Sequence, residues 1–149
     1  MPDTWTDINQ YFAGRRESHG LECSPQIEAN GAITVQLVNK LLDEATRFGV
    51  VVPINDEPGP YQGTRLNSGW RPPSINACTN GAALNSLHMT AEACDIHDPG
   101  GALDAWLMTP EGQYTLEQIG LWMEHPDATP TWSHVQCRPP KSGHRVFYP

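Results

Sequence analysis

The order of apolar and polar positions divides the chain into a helical first part and a last third patterned as strands. Between residues 31 and 48, Val38, Leu41, Ala45 and Phe48 recur at the three- and four-residue spacing of one helix face, flanked by Leu37 and Leu42. Asn30 is placed to cap the start of this helix and Gly49 to close its end. Upstream, residues 1–30 are polar and irregular. There Trp5, Ile8, Tyr11 and Phe12 share a helical spacing, which predicts a short helix in an N-terminal docking extension. Val50 to Val52 predicts a short strand and Leu66 to Trp70 another, separated by a loop rich in Pro, Gly and acid at 53–63. Residues 74–85 read as turns, and Ala102 to Met108 as one or two helical turns. Thr109-Pro110-Glu111 reads as a helix start with Thr109 as its cap.

Further on, Ile119, Leu121 and Met123 alternate with Gly120, Trp122 and Glu124, and Trp132 to Cys137 alternates as well. The intervening HPDATP is long enough to close a hairpin. Centred near Ala128, that hairpin puts Glu124 opposite Trp132 and His134 opposite Trp122, with Glu124 and His134 diagonal neighbours on one face. A slip of one residue sends Glu124 to the other face. The tail from Arg138 to Phe147 reads as a turn and a last extended piece. Helix first and strands later, with little strand–helix–strand alternation, predicts an α+β fold. The expectation is one domain over residues 1–149, with a small antiparallel sheet flanked by helices.

Composition narrows the function classes. Only 38% of residues are hydrophobic, and 13 Gly and 14 Pro make the chain loop-rich, yet five Trp leave material for a core. A formal net charge of −8 with no basic patch argues against nucleic acid and anionic membrane as partners. No apolar run reaches the length of a membrane span, so no membrane insertion is expected. The first residues show no secretory signal, so synthesis in the cytoplasm is expected, and action at a cell wall would require release. A monomer is expected. Cys23, Cys78, Cys94 and Cys137 form no CxxC pair, so a zinc finger is excluded by spacing and buried free thiols are the expectation.

The chemistry gathers in residues 86–98. His88 and Asp95, seven positions apart, offer two nitrogen or oxygen ligands, and His134 on a late strand offers a third. A catalytic zinc takes three such ligands and leaves one position open. Spacing alone does not distinguish this from a surface His beside a solvated Asp. The order of three motifs does more. Ser86 to Asp95 resembles S-x-H-x-x-G-x-A-x-D; Ser68-Gly69-Trp70-Arg71, followed by Pro72 and Asn76, resembles S-G-Y-R; Trp132-Ser133-His134-Val135 resembles W-x-H-hydrophobic. In this order they resemble the zinc D-Ala-D-Ala carboxypeptidase superfamily, which includes L-alanyl-D-glutamate endopeptidases of phage endolysins. The resemblance covers roughly residues 31–147.

What the resemblance implies is a zinc cleft on the sheet, one Zn2+ per chain held by His88, Asp95 and His134, and hydrolysis of peptidoglycan stem peptides. It implies a catalytic role for Arg71, facing the developing oxyanion, and a substrate-binding role for Ser86. Two positions depart from the pattern. Ala91 replaces the Gly, which is tolerable where φ is negative. Thr131 stands where members of the family carry an acidic general base. Glu124 is the expected replacement, with His125 and Asp127 as alternatives. His97 is expected to be exposed, and His19 and His144 have no partner in sequence. The alternative function is a non-catalytic zinc-binding domain of the same fold with a virion or assembly role. The motifs do not select among the bonds of the stem peptide.

Overall fold

In the computed structural model, which describes residues 4–149, the elements run α1 (Ile8–Phe12), α2 (Arg15–Ser18), a 3-10 turn, α3 (Pro25–Arg47), β1 (Leu66–Ser68), α4 (Pro73–Ala77), β2 (Ala93–His97), α5 (Ala102–Leu107), α6 (Pro110–Ile119), β3 (Trp122–Glu124), a second 3-10 turn at Pro126–Ala128, β4 (Trp132–Gln136) and β5 (Val146–Phe147). The fold is α+β. The sheet order is β1-β2-β4-β3-β5, antiparallel throughout except that β5 runs parallel to β3. The sheet is therefore mixed, which corrects the antiparallel expectation. The cause is the tail: the chain crosses over after β4 and returns to the far edge of β3.

The predicted long helix starts six residues earlier than expected. Ser24, not Asn30, is its cap: Ser24 Oγ accepts from Ile27 N at 3.2 Å, and Pro25 occupies the first turn, where its missing N–H costs nothing. Asn30 lies inside α3 and donates to the Thr90 carbonyl at 3.0 Å. At the other end Gly49 takes φ +82°, as its placement suggested. Phe48, counted on the core face, is 51% exposed because the helix ends at Arg47; its ring lies against Trp106.

The N-terminal segment is seated against the domain. Tyr11 and Phe12 are fully buried, and the Tyr11 hydroxyl donates to the Ala93 carbonyl at 2.7 Å. Two glycines admit this approach. A Cβ on Gly31 would lie 2.6 Å from the Phe12 ring, and one on Gly69 would lie 2.1 Å from the Tyr11 carbonyl oxygen. Val38, Leu41, Leu42 and Ala45 of α3 complete this core with Cys94, Ile96, Met123 and Val135 from one face of the sheet. The opposite parity of β2 and β4 carries Asp95, His134 and Gln136. Period two thus separates core from chemistry within each strand.

Three other local expectations change. Val50 to Val52 forms no strand, although Val50 and Val52 are buried and Val51 exposed. Residues 74–85 contain most of α4. Ile119 is the last residue of α6, where Gly120 at φ +89° ends the helix, so the alternation read over 119–121 coincided with a helical turn.

Candidate metal centre

Asp95 and His134 are register partners across β2 and β4, which brings their side chains onto one face at the closest approach a sheet allows. His88 comes from the turn before β2. That turn is tied down on both sides: the Arg71 amide donates to the His88 carbonyl, Trp70 Nε1 donates to the Met89 carbonyl, and Thr34 Oγ donates to the Ala91 carbonyl. Ala91 closes it at φ +61°. This corrects the expectation of negative φ there. The position takes the left-handed backbone that favours glycine, and Ala91 holds it with its methyl fully buried.

Ligand atoms of His88, Asp95 and His134 lie within 4.8 Å of one another, in a group that can hold a metal ion. Asp95 Oδ1 is 3.2 Å from His88 Nε2 and 2.9 Å from His134 Nδ1. The outer nitrogens are engaged elsewhere. His88 Nδ1 faces the Gly69 carbonyl at 2.8 Å, and His134 Nε2 faces Gln136 Oε1 at 2.9 Å, with Gln136 in turn donating to the Arg138 carbonyl. With a metal bound, these acceptors would favour the tautomer whose lone pair points inward, which is how ligating imidazoles are oriented. Two imidazole nitrogens and one carboxylate oxygen, all nearly out of solvent, fit a divalent cation.

Electrostatics favour charge at this point. Burial would raise the Asp95 carboxyl, but His88 and His134 hold it well below the usual carboxylate range. Burial would likewise lower His134, yet Asp95 outweighs that and raises it to about 9. A cation bound here would take the place of the proton between Asp95 and His134.

The triad opens into a cavity of about 450 Å³ lined by Arg71, Ser86, Glu124, Trp132 and Pro149. The β3–β4 pairing is Trp122 to Gln136 and Met123 to Val135, so the register continues with Glu124 directly opposite His134. The expected hairpin is thus shifted by two residues, its centre moved toward Thr129 by the 3-10 turn. An even shift preserves the face, and Glu124 Oε1 lies 3.8 Å from His134 Nε2. Burial pushes the Glu124 carboxyl up. Arg71 Nη1 donates to Asn76 Oδ1 at 3.1 Å, and no ion pair engages it among the described residues. Ser86 Oγ accepts the His88 amide at 3.2 Å, so it caps the ligand turn as well as lining the cavity.

The alternatives to Glu124 fall away from the cleft. Asp127 is exposed and pairs with His125, whose ring stacks on Tyr148; Thr131 is exposed. His97 is buried, against expectation, because Asn67 Oδ1 meets its Nδ1 at 2.8 Å. All four cysteines are free. Cys94 is buried, Cys23 and Cys137 are half-buried, and Cys78 is exposed, which corrects the buried reading for Cys78. Sequence reasoning missed Gln136 and the Gly69 carbonyl. Gln136 was within reach of it, two positions after His134 on the same strand face; the carbonyl carries no side-chain signal. Comparison with protein-family models, with curated proteins and with solved structures finds no match to this chain.

Proposed function

We propose that this chain is a zinc-dependent peptidase that hydrolyses peptide bonds in bacterial peptidoglycan. The observation that carries the reading is the convergence of three separated motifs on one cleft: His88, Asp95 and His134 meet at ligand distance, with Arg71 and Glu124 lining the open side. Two imidazoles and one carboxylate with room beyond them suit catalytic zinc. Zinc held by His88, Asp95 and His134 would supply Lewis acidity.

The chain's own residues supply the rest. Glu124 is the general base: it takes the proton of the attacking water and passes it to the leaving amine. Arg71, positioned by Asn76, faces the oxygen on which negative charge develops, where a fixed guanidinium in a shielded cleft is most effective. Ser86 holds the ligand turn and lies within the substrate's reach.

The test is digestion of purified sacculi by zinc-loaded protein, with fragments resolved by mass, in the presence and absence of chelator. Release of peptide-cleaved fragments that stops with chelator is expected. Inert wild-type protein carrying stoichiometric zinc would instead favour the non-catalytic zinc domain.

A further inference from the structure

A second cavity, of about 380 Å³, adjoins the metal cleft. The two share Arg71, Asp95 and Trp132 in their linings, so they are lobes of one groove that meets at the triad. The far lobe is walled by Tyr61, Asn67 and Arg15. Arg15 comes from α2, outside the segment that carries the motifs. Its Nη1 donates to the Trp70 carbonyl at 2.8 Å and its guanidinium lies 5.5 Å from the Tyr61 ring centre.

The chain has nine Lys and Arg against seventeen Asp and Glu. Arg16, Arg47 and Arg138 each face a carboxylate. Four arginines face none among the described residues: Arg65 and Arg145 lie over the Trp5 and Trp122 rings, and Arg15 and Arg71 line this lobe. A surface this acidic offers ample carboxylate, so two guanidiniums held by neutral acceptors on a concave wall are available to an incoming anion. Besides Asp95, the acidic side chain in the lining is Glu57, which is exposed.

We propose that this lobe is a subsite for a carboxylate of the substrate, gripped by Arg15 with Arg71, and that Arg15 determines specificity for peptides charged beside the scissile bond. The proposal rests on the peptidase reading. Arg15 is suited to it because a guanidinium anchored at one nitrogen keeps further N–H donors for a carboxylate. Two sources present that chemistry, a free C-terminus and an acidic side chain.

The experiment uses three short acetylated D-amino-acid peptides. One carries a free C-terminal carboxylate, one an acidic side chain with an amidated terminus, and one neither charge. Affinity is measured by calorimetry on zinc-free protein, where turnover does not compete, and kcat/KM on zinc-loaded protein. A charged peptide should bind about 10- to 100-fold tighter than the neutral one. Arg15→Gln should collapse that ratio, and whichever charged peptide gains in wild type identifies the source. Arg15→Lys, which keeps the charge and loses the fork, should retain only part of the ratio and serves if the Gln variant does not fold. Absence of a preference in wild type, or an unchanged ratio in the variants, overturns the proposal. A charge preference in protein that leaves sacculi undigested defeats the peptidase reading and leaves the carboxylate site standing; digestion of sacculi without a preference does the reverse.

Discussion

At the scale of the residue, the position that decides the proposed chemistry is Glu124. It stands across from His134, partly buried, with its carboxylate 3.8 Å from the imidazole's outer nitrogen. Replacing it by Gln keeps size and hydrogen-bonding capacity but removes the ability to carry a proton. Glu124→Gln should therefore bind zinc as wild type does and fold as wild type does, with hydrolysis of sacculi reduced about 100- to 10,000-fold, the range for a positioned acid or base. Metal content by emission spectroscopy alongside the digestion rate checks this. A variant that digests at the wild-type rate removes Glu124 from the mechanism.

At the scale of the element, Asp98 joins three pieces of structure. It follows β2, accepts the Leu103 and Asp104 amides at the start of α5, and receives the Ser133 hydroxyl from β4. It does for α5 what the cap residue Gly101 cannot, having no side chain. The arrangement places Asp104 beside a second carboxylate, with its Oδ1 buried and without a hydrogen-bond partner among the described residues. Burial, reinforced by the Asp98 charge and opposed by the bond from the Thr129 hydroxyl, raises Asp104 from 3.8 to about 6. A folded-state pKa above the unfolded one gives stability that is full below about pH 4 and lost as pH rises through about 6. Asp104→Asn removes that loss. The variant should exceed wild type by about 2 kcal/mol in urea denaturation at pH 7.5, and the gain should vanish near pH 4. An equal difference at both pH values would refute the account.

At the scale of the whole molecule, the metal triad joins the turn before β2, β2 itself and β4. A cation bound to all three stabilises the folded chain by mass action, since the unfolded chain does not bring the ligands together. At free zinc 100-fold above its dissociation constant the gain is about 2.7 kcal/mol. For a domain of this size that raises Tm by roughly 5–10 °C. His88→Ala should abolish the rise at the same zinc concentration, measured by calorimetry. A variant that shows the full shift would place the metal elsewhere.

The sequence by itself determined what local chemistry dictates. The amphipathic stripe of α3, the Thr109-Pro110 helix start, the left-handed Gly49 and the alternation of β4 were legible because spacing and backbone preference act over a few residues. His88, Asp95 and His134, which the structure gathers into a group that could hold a metal ion, were singled out through the order of their motifs. Local signals misled where a residue read as a cap proved to lie inside the helix, as at Asn30, and where a helix end mimicked alternation at Ile119. Tertiary structure alone decided the rest. The β3–β4 register, which sets Glu124 against His134, depends on how the 3-10 turn folds the loop. The parallel β5 depends on a crossover that no local pattern encodes. Gly31 and Gly69 let Tyr11 and Phe12 of α1 pack close, and Arg15 lines the groove from the next helix. The left-handed Ala91 is held by a bond from Thr34 of α3, 57 residues away in sequence. Contacts between distant segments carry no periodicity along the chain, and they are what turn three ligands into a site with an open side.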